Sequence, residues 1–150
     1  MSLQKLLKEY QETLEETLRY FDLPEAELNK SYGEGKWNVR QLLNHITDAE
    51  SVMYERIRRT IAKPKQVIYG FDQEAWAEVL DYNSFPLAIN KNIFYANRMA
   101  IIYLAEQYYD THSDSTFVHS ETGLRTLKDE LEKVAWHNRG HLDQIRKALS

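Results

Sequence analysis

Two histidines four residues apart, His137 and His141 in the stretch AWHNRGHLDQI, are the residues of this chain whose type and spacing best suit metal chemistry. On a helix, positions i and i+4 hold their Cβ atoms about 5–6 Å apart, so two imidazoles can reach one ion. Taken alone, the pair reads two ways, as half of a metal site or as two residues on a bundle surface. His45 adds a third imidazole. In the helical stripe 42, 45, 46, 49, 52 it points with Leu42, Ile46 and Ala49, and in the stripe 134, 137, 141, 145, 148 the other two lie between Val134 and Ile145. Three inward histidines from two helices match the ligand set of a catalytic zinc site, which leaves a fourth position open; a hydrogen-bonded core histidine is the plainer account of His45. A cation held by neutral imidazoles would lower the pKa of a bound water or thiol and polarise a carbonyl. Since imidazoles ligate only when neutral, acidification below roughly pH 6 is expected to release such an ion. The zinc-protease motif is absent, because Asn138 follows His137 where a glutamate base would stand.

The elements that must carry these residues are helical. Leu3, Leu6, Leu7, Tyr10, Leu14, Leu18 and Phe21 predict an amphipathic helix over 3–21, with Ser2 as its cap and Pro24 stopping it or opening a short turn. NKSYGEGK reads as a loop. A second helix starts at WNVRQLL, with Asn38 and Gln41 spaced as a capping box, and ends at Pro64. Residues 63–83 form a long connection containing one short helical piece, DQEAWAEVL, with Asp72 as its cap; connections of this length are often functional. Ser84 is the expected cap of a third helix, whose apolar face is Leu87, Ile93, Ala100, Ile101, Leu104 and Tyr108. DTHSDST reads as a polar loop, and a last helix is expected from about Thr126 to the C-terminus. No alternation long enough to predict a strand is visible. The expected architecture is an all-α four-helix bundle formed by residues 1–150 as one domain.

Composition excludes several partners. Net charge is −4, and acidic and basic residues alternate with no basic stripe, so a nucleic-acid partner is not expected. Apolar runs such as MAIIYLA are too short to cross a bilayer, and the amphipathic N-terminus lacks a signal peptide's apolar core. The chain has no cysteine, which removes thiolate nucleophiles and Cys-type zinc sites and fits a reducing cytoplasm. Any metal must therefore use nitrogen and oxygen ligands.

Several further residues have both a functional and a plain reading. Asp48, one turn after His45, could accept a hydrogen bond from a ligating imidazole, contact metal-bound water or act as a general base, or be an exposed helix aspartate. Asp72 is a candidate for a catalytic or cleft role, although capping is a sufficient role for it. Trp37 and Trp76 read as core anchors. Gln144, three positions past His141, is either a partner of that imidazole or polar surface. Gly140 inside the last helix costs roughly 1 kcal/mol against alanine, which calls for close approach of a neighbouring helix or room for a substrate. His112 and His119, in the polar stretch before the last helix, read as solvated loop residues.

GKWNVRQLLNHITDAE (35–50) resembles the Trp-x-x-x-x-Leu-Leu-x-His-x-x-Asp-x-Glu stretch of the DinB-like family, the damage-inducible helical-bundle proteins. GLRTLKDELEKVAWHNRGHLDQI (123–145) is similar to that family's closing segment, and FDQEAWAE (71–78) to its Asp-x-x-x-Trp element between the second and third helices. The resemblance implies an up-down-down-up bundle carrying a divalent metal on three histidines, here His45, His137 and His141. It also implies that the connection carrying Trp76 borders a cleft. Zinc is the default ion, with nickel, iron or manganese able to use the same imidazoles. Relatives in this family hydrolyse substrates or use a low-molecular-weight thiol for transfer or isomerisation, and many form homodimers, so a small-molecule substrate and a homodimer are implied. A non-catalytic bundle with a structural metal, or one that binds a partner, is the alternative.

Overall fold

A computed structural model describes residues 1–150. Six helices and a small sheet follow one another in the order α1 (Leu3–Phe21), α2 (Glu25–Leu28), α3 (Val39–Ala62), β1 (Val67–Ile68), α4 (Gln73–Val79), α5 (Leu87–His112), β2 (Thr116–His119), β3 (Gly123–Thr126) and α6 (Leu127–Leu149). The start signals act as their chemistry predicts. Ser2 accepts from the Lys5 N–H, Asn38 and Gln41 form a reciprocal capping box, Asp72 caps α4 through the Ala75 N–H, and Thr126 forms a second capping box with Asp129.

The four long helices, α1, α3, α5 and α6, make the bundle. Cross-helix bonds establish its sense. Asn90 donates to Asn44 and Asn97 to Ser51, so α3 and α5 run parallel. Arg139 pairs with Glu9 and Arg146 with Glu16, so α1 and α6 also run parallel. His45 and Arg56 on α3 meet His137 and Glu130 on α6, in that order, which makes those helices antiparallel. The result is up-down-down-up. Two parallel neighbours in sequence order need a connection that returns the length of the bundle, and the segment between Ala62 and Leu87 supplies it.

Three expectations are corrected. The polar stretch before the last helix is not a loop: α5 continues to His112, and residues 116–126 form a hairpin. Short strands escape a search for alternation, and this sheet has only two to four residues per strand, with β1 pairing parallel to β2 and β3 antiparallel to it. His119 is consequently buried at 6% exposure, because β2 turns it inward. The cap of α5 is Pro86 rather than Ser84, whose hydroxyl bonds to Asp81 instead.

The core divides into two apolar clusters along the bundle axis. One gathers Leu6, Tyr10, Met53, Ile57, Ile101 and Leu131 with their neighbours; the other gathers Leu14, Leu42, Ile46, Phe94, Leu142 and Ile145. Between them lies a polar layer. Arg98, fully buried, donates to both Glu50 oxygens at 2.5 and 3.0 Å, to Tyr10 O and Thr13 Oγ1 at 2.9 and 2.8 Å, and to Asn138 Oδ1 at 2.9 Å. All four long helices contribute to this layer, and its charges are paired and hydrogen-bonded, as buried charges must be.

Candidate metal centre

At the level of that polar layer, on the seam between α3 and α6, the structure brings His45, His137 and His141 together. Their Nε2 atoms converge: His137 Nε2 lies 3.0 Å from His45 Nε2 and 3.1 Å from His141 Nε2. Antiparallel packing of α3 on α6 sets one turn of α3 against two turns of α6, which is why residues 92 positions apart in sequence meet. His45 is wholly buried and the other two are half-buried.

Three ring nitrogens this close need something between them. A single N–H can bridge one pair, but the central Nε2 of His137 cannot satisfy both neighbours as donor and keep a lone pair. Tetrahedral ligands at about 2.0–2.1 Å from zinc stand roughly 3.3–3.4 Å apart, a few tenths of an ångström beyond the spacing seen. One ligand atom from each histidine lies within 4.8 Å of the others. The donor set therefore fits a small divalent cation. Burial also keeps the rings neutral: it pushes the pKa of His45 from 6.5 down to about 3 and that of His137 down to about 2, with the neighbouring imidazoles adding to the effect. Burial lowers His141 too, against the opposing effect of the hydrogen bond that it donates to Gln144. Proton competition for these nitrogens is thereby moved below the pH 6 expected from an unperturbed histidine.

The surroundings orient the rings. Gln144 Oε1 sits 2.7 Å from His141 Nδ1, so the amide oxygen accepts the Nδ1 proton and turns the Nε2 lone pair to the centre. His45 Nδ1 is buried without a partner. Trp37 packs on His45 at 5.0 Å between centroids, tilted by 51°, and Phe71 lies at 6.3 Å with its ring within 24° of parallel. Trp76 reaches the cluster through Phe71, at 4.7 Å, so α4 and the connection before it cover one flank of the imidazoles.

The remaining sequence candidates separate. Asp48 accepts a 2.5 Å hydrogen bond from the Tyr82 hydroxyl rather than bonding to His45, and burial raises its pKa. Asp72 is exposed and serves as the α4 cap. Gly140 is exposed, and a Cβ there would meet nothing within 4 Å, so neither helix approach nor room at the site accounts for it.

Sequence reasoning missed a group of residues beside His137. A cavity of about 210 Å³ is lined by His137 together with Arg56, Phe71, His119, Glu121 and Lys133. The connection closes over it at Gly70, where a Cβ would stand 3.0 Å from both His119 and Glu121. Two of these residues carried a signal: Lys133 precedes His137 by one helical turn, and Arg56 continues the inward stripe of α3.

The comparisons with known proteins agree with this architecture. Over 146 residues the chain is 33% identical to a protein of Oceanobacillus iheyensis assigned to the metal-dependent hydrolases, covering 97% of this chain and 83% of that one. A Halalkalibacterium halodurans protein with the same assignment is 28% identical over 85% of this chain and 74% of its own length. Among solved structures, YfiT from Bacillus subtilis, described as having an unusual four-helix bundle topology, superposes with a TM-score of 0.88 at 21% identity over 99% of this chain and 87% of that one. A mycothiol-dependent maleylpyruvate isomerase superposes with a TM-score of 0.76 at 11% identity, over 97% of this chain and 61% of that one. The sequence profile of the DinB superfamily matches residues 9–145, nearly the whole bundle with all three histidines inside it. This chain is a member of the DinB superfamily.

Proposed function

We propose that the protein is a divalent-metal-dependent enzyme in which His45, His137 and His141 hold the ion and a small molecule reacts beside it. The observation that carries this reading is the convergence of three Nε2 atoms from two helices, kept neutral by burial. When bound, a cation on three imidazoles supplies electrophilic activation of water or of a substrate thiol. Gln144 holds His141 in the ligating tautomer. Trp37 and Phe71 pack against His45 and contribute to its complete burial from water. Asp48, raised in pKa and supported by Tyr82, is the residue assigned to take or hold a proton.

The assignments of the Oceanobacillus and Halalkalibacterium relatives support hydrolysis, and the isomerase neighbour supports use of a low-molecular-weight thiol. Zinc is the ion this nitrogen donor set favours, with nickel, iron and manganese as competitors. A homodimer belongs to the same reading, and sedimentation equilibrium tests it.

Elemental analysis of untagged protein purified without chelators should find about one divalent ion per chain, and His45→Ala should lose it. Equal metal in both proteins refutes the assignment. Chelation should leave helical circular dichroism intact, because both apolar clusters and the Arg98 layer are built without the triad. Unfolding on chelation would favour the structural-metal alternative.

A further inference from the structure

The cavity beside the triad has an unusual balance of hydrogen-bonding groups. Arg56 is 3% exposed; its Nη1 donates to Glu130 at 3.1 Å, Nη2 reaches Tyr69 O at 3.5 Å, and Nε is buried with no partner. His119 Nδ1 accepts the backbone N–H groups of Glu121 and Thr122, which leaves its ring proton on Nε2. Lys133 is half-buried one turn before His137 and forms no salt bridge, although burial disfavours its charge. These three residues line one cavity with His137. Glu130 pairs with Arg56; its charge and that of Glu121 are felt at Lys133, but neither carboxylate forms a salt bridge with the ammonium, which is left without a direct partner. Glu121, the one carboxylate on the wall, is exposed, where water screens it.

Unpartnered donors in a partly buried pocket are costly unless a ligand satisfies them. A carboxylate has two oxygens and about four acceptor sites, enough for an ammonium and an imidazole N–H together. The cavity, at about 210 Å³, is smaller than a drug-sized pocket and admits only a small group. We infer that Lys133 and His119, on a wall shared with Arg56, form a carboxylate-binding subsite, so that the substrate or thiol reacting beside the triad is a small carboxylic acid anchored next to His137. This rests on the function proposed above. It names the chemical class of the reactant and gives Lys133 and His119 the role of positioning it.

Two measurements judge it. In the first, the metal-free protein is titrated with propionate at constant ionic strength while the Arg56 Nε–H and His119 Nε2–H resonances are followed by NMR. Saturable shifts are expected, at least tenfold weaker with propionamide, and at least tenfold weaker in Lys133→Met, which keeps the side-chain length. Lack of saturation, unchanged affinity in Lys133→Met, or tighter binding of inorganic phosphate overturns the subsite. In the second, the cobalt(II)-loaded protein is titrated with 3-mercaptopropionate and with ethanethiol, and thiolate charge-transfer absorption is read. At least tenfold preference for the carboxylated thiol is expected, falling toward parity in Lys133→Met. Thiol ligation without that preference overturns the subsite and leaves the metal reading standing. Failure of cobalt to bind refutes the metal reading, and the propionate titration then decides the subsite by itself.

Discussion

At the residue scale, the centre depends on lone-pair direction. An imidazole has two nitrogens, and only a proton held on Nδ1 leaves Nε2 free to ligate. Gln144 performs that service for His141 at 2.7 Å. Gln144→Ala is therefore expected to weaken metal affinity by roughly 10- to 100-fold without altering the fold, the range seen when partners of metal-ligating histidines are removed. Competition with a chromophoric chelator measures this, and unchanged affinity would show that packing alone orients the ring. A pH effect belongs to the same scale. His45 and His137 ionise near 6.5 in the unfolded chain but only at about 3 and 2 in the folded metal-free protein. The unfolded state thus binds more protons, so their contribution to stability is complete above about pH 6.5 and is lost as pH falls toward 3. Asp48, with a raised pKa, works in the opposite direction at the acid end. Urea midpoints of metal-free protein should fall between pH 7 and pH 4.5, and the fall should shrink in His45→Gln. A midpoint that does not change over that interval would contradict the burial argument.

At the element scale, the helices follow local rules closely, and their exceptions are informative. The capping boxes at Asn38 and Thr126 start α3 and α6, the two helices that carry the triad, and so establish which face each turn presents. Gly140 is the local exception. It interrupts α6 on an exposed face, with open space where a Cβ would stand. No close approach compensates for its conformational freedom, so Gly140→Ala should stabilise the protein by roughly 1 kcal/mol, read as a raised urea midpoint with metal content unchanged. A loss of stability would mean that the exposed face of α6 is covered in solution. The small sheet also works at this scale. By pairing β1 with β2 it ties the long connection to the hairpin, and this brings Gly70 against His119 and Glu121 and closes the cavity beside His137.

At the scale of the whole molecule, one buried ion pair joins all four helices. Arg98 and Glu50 lie between the two apolar clusters with every guanidinium hydrogen bond directed to α1, α3 or α6. Removing one partner leaves the other charge buried and alone. Arg98→Met is accordingly expected to cost about 3–5 kcal/mol, whereas Glu50→Leu with Arg98→Leu should cost much less. Urea unfolding of the single and double variants tests the comparison; equal costs would remove the charge argument. The polar layer and the triad lie at one level of the bundle, Asn138 in the layer following His137 in the chain. Disturbing the layer is therefore likewise a route to disturbing the centre.

What could be read in the one-dimensional chain was whatever depends on near neighbours. Helical periodicity placed α1 over 3–21 and turned His45, His137 and His141 inward; caps at Ser2, Asn38 and Asp72 marked where helices begin; and the motifs around the histidines carried the family resemblance. The meeting of three Nε2 atoms was decided only by antiparallel packing of α3 on α6, since no local rule measures a distance across 92 residues. The burial of His119 was likewise decided by strand pairing too short to leave an alternation in sequence. Arg56 and Lys133 show in sequence only which helical face they occupy; that they line a common cavity with His119 depends on the elements packed over them. Desolvation and convergence are properties of a packed volume, and a volume exists only once distant segments share it.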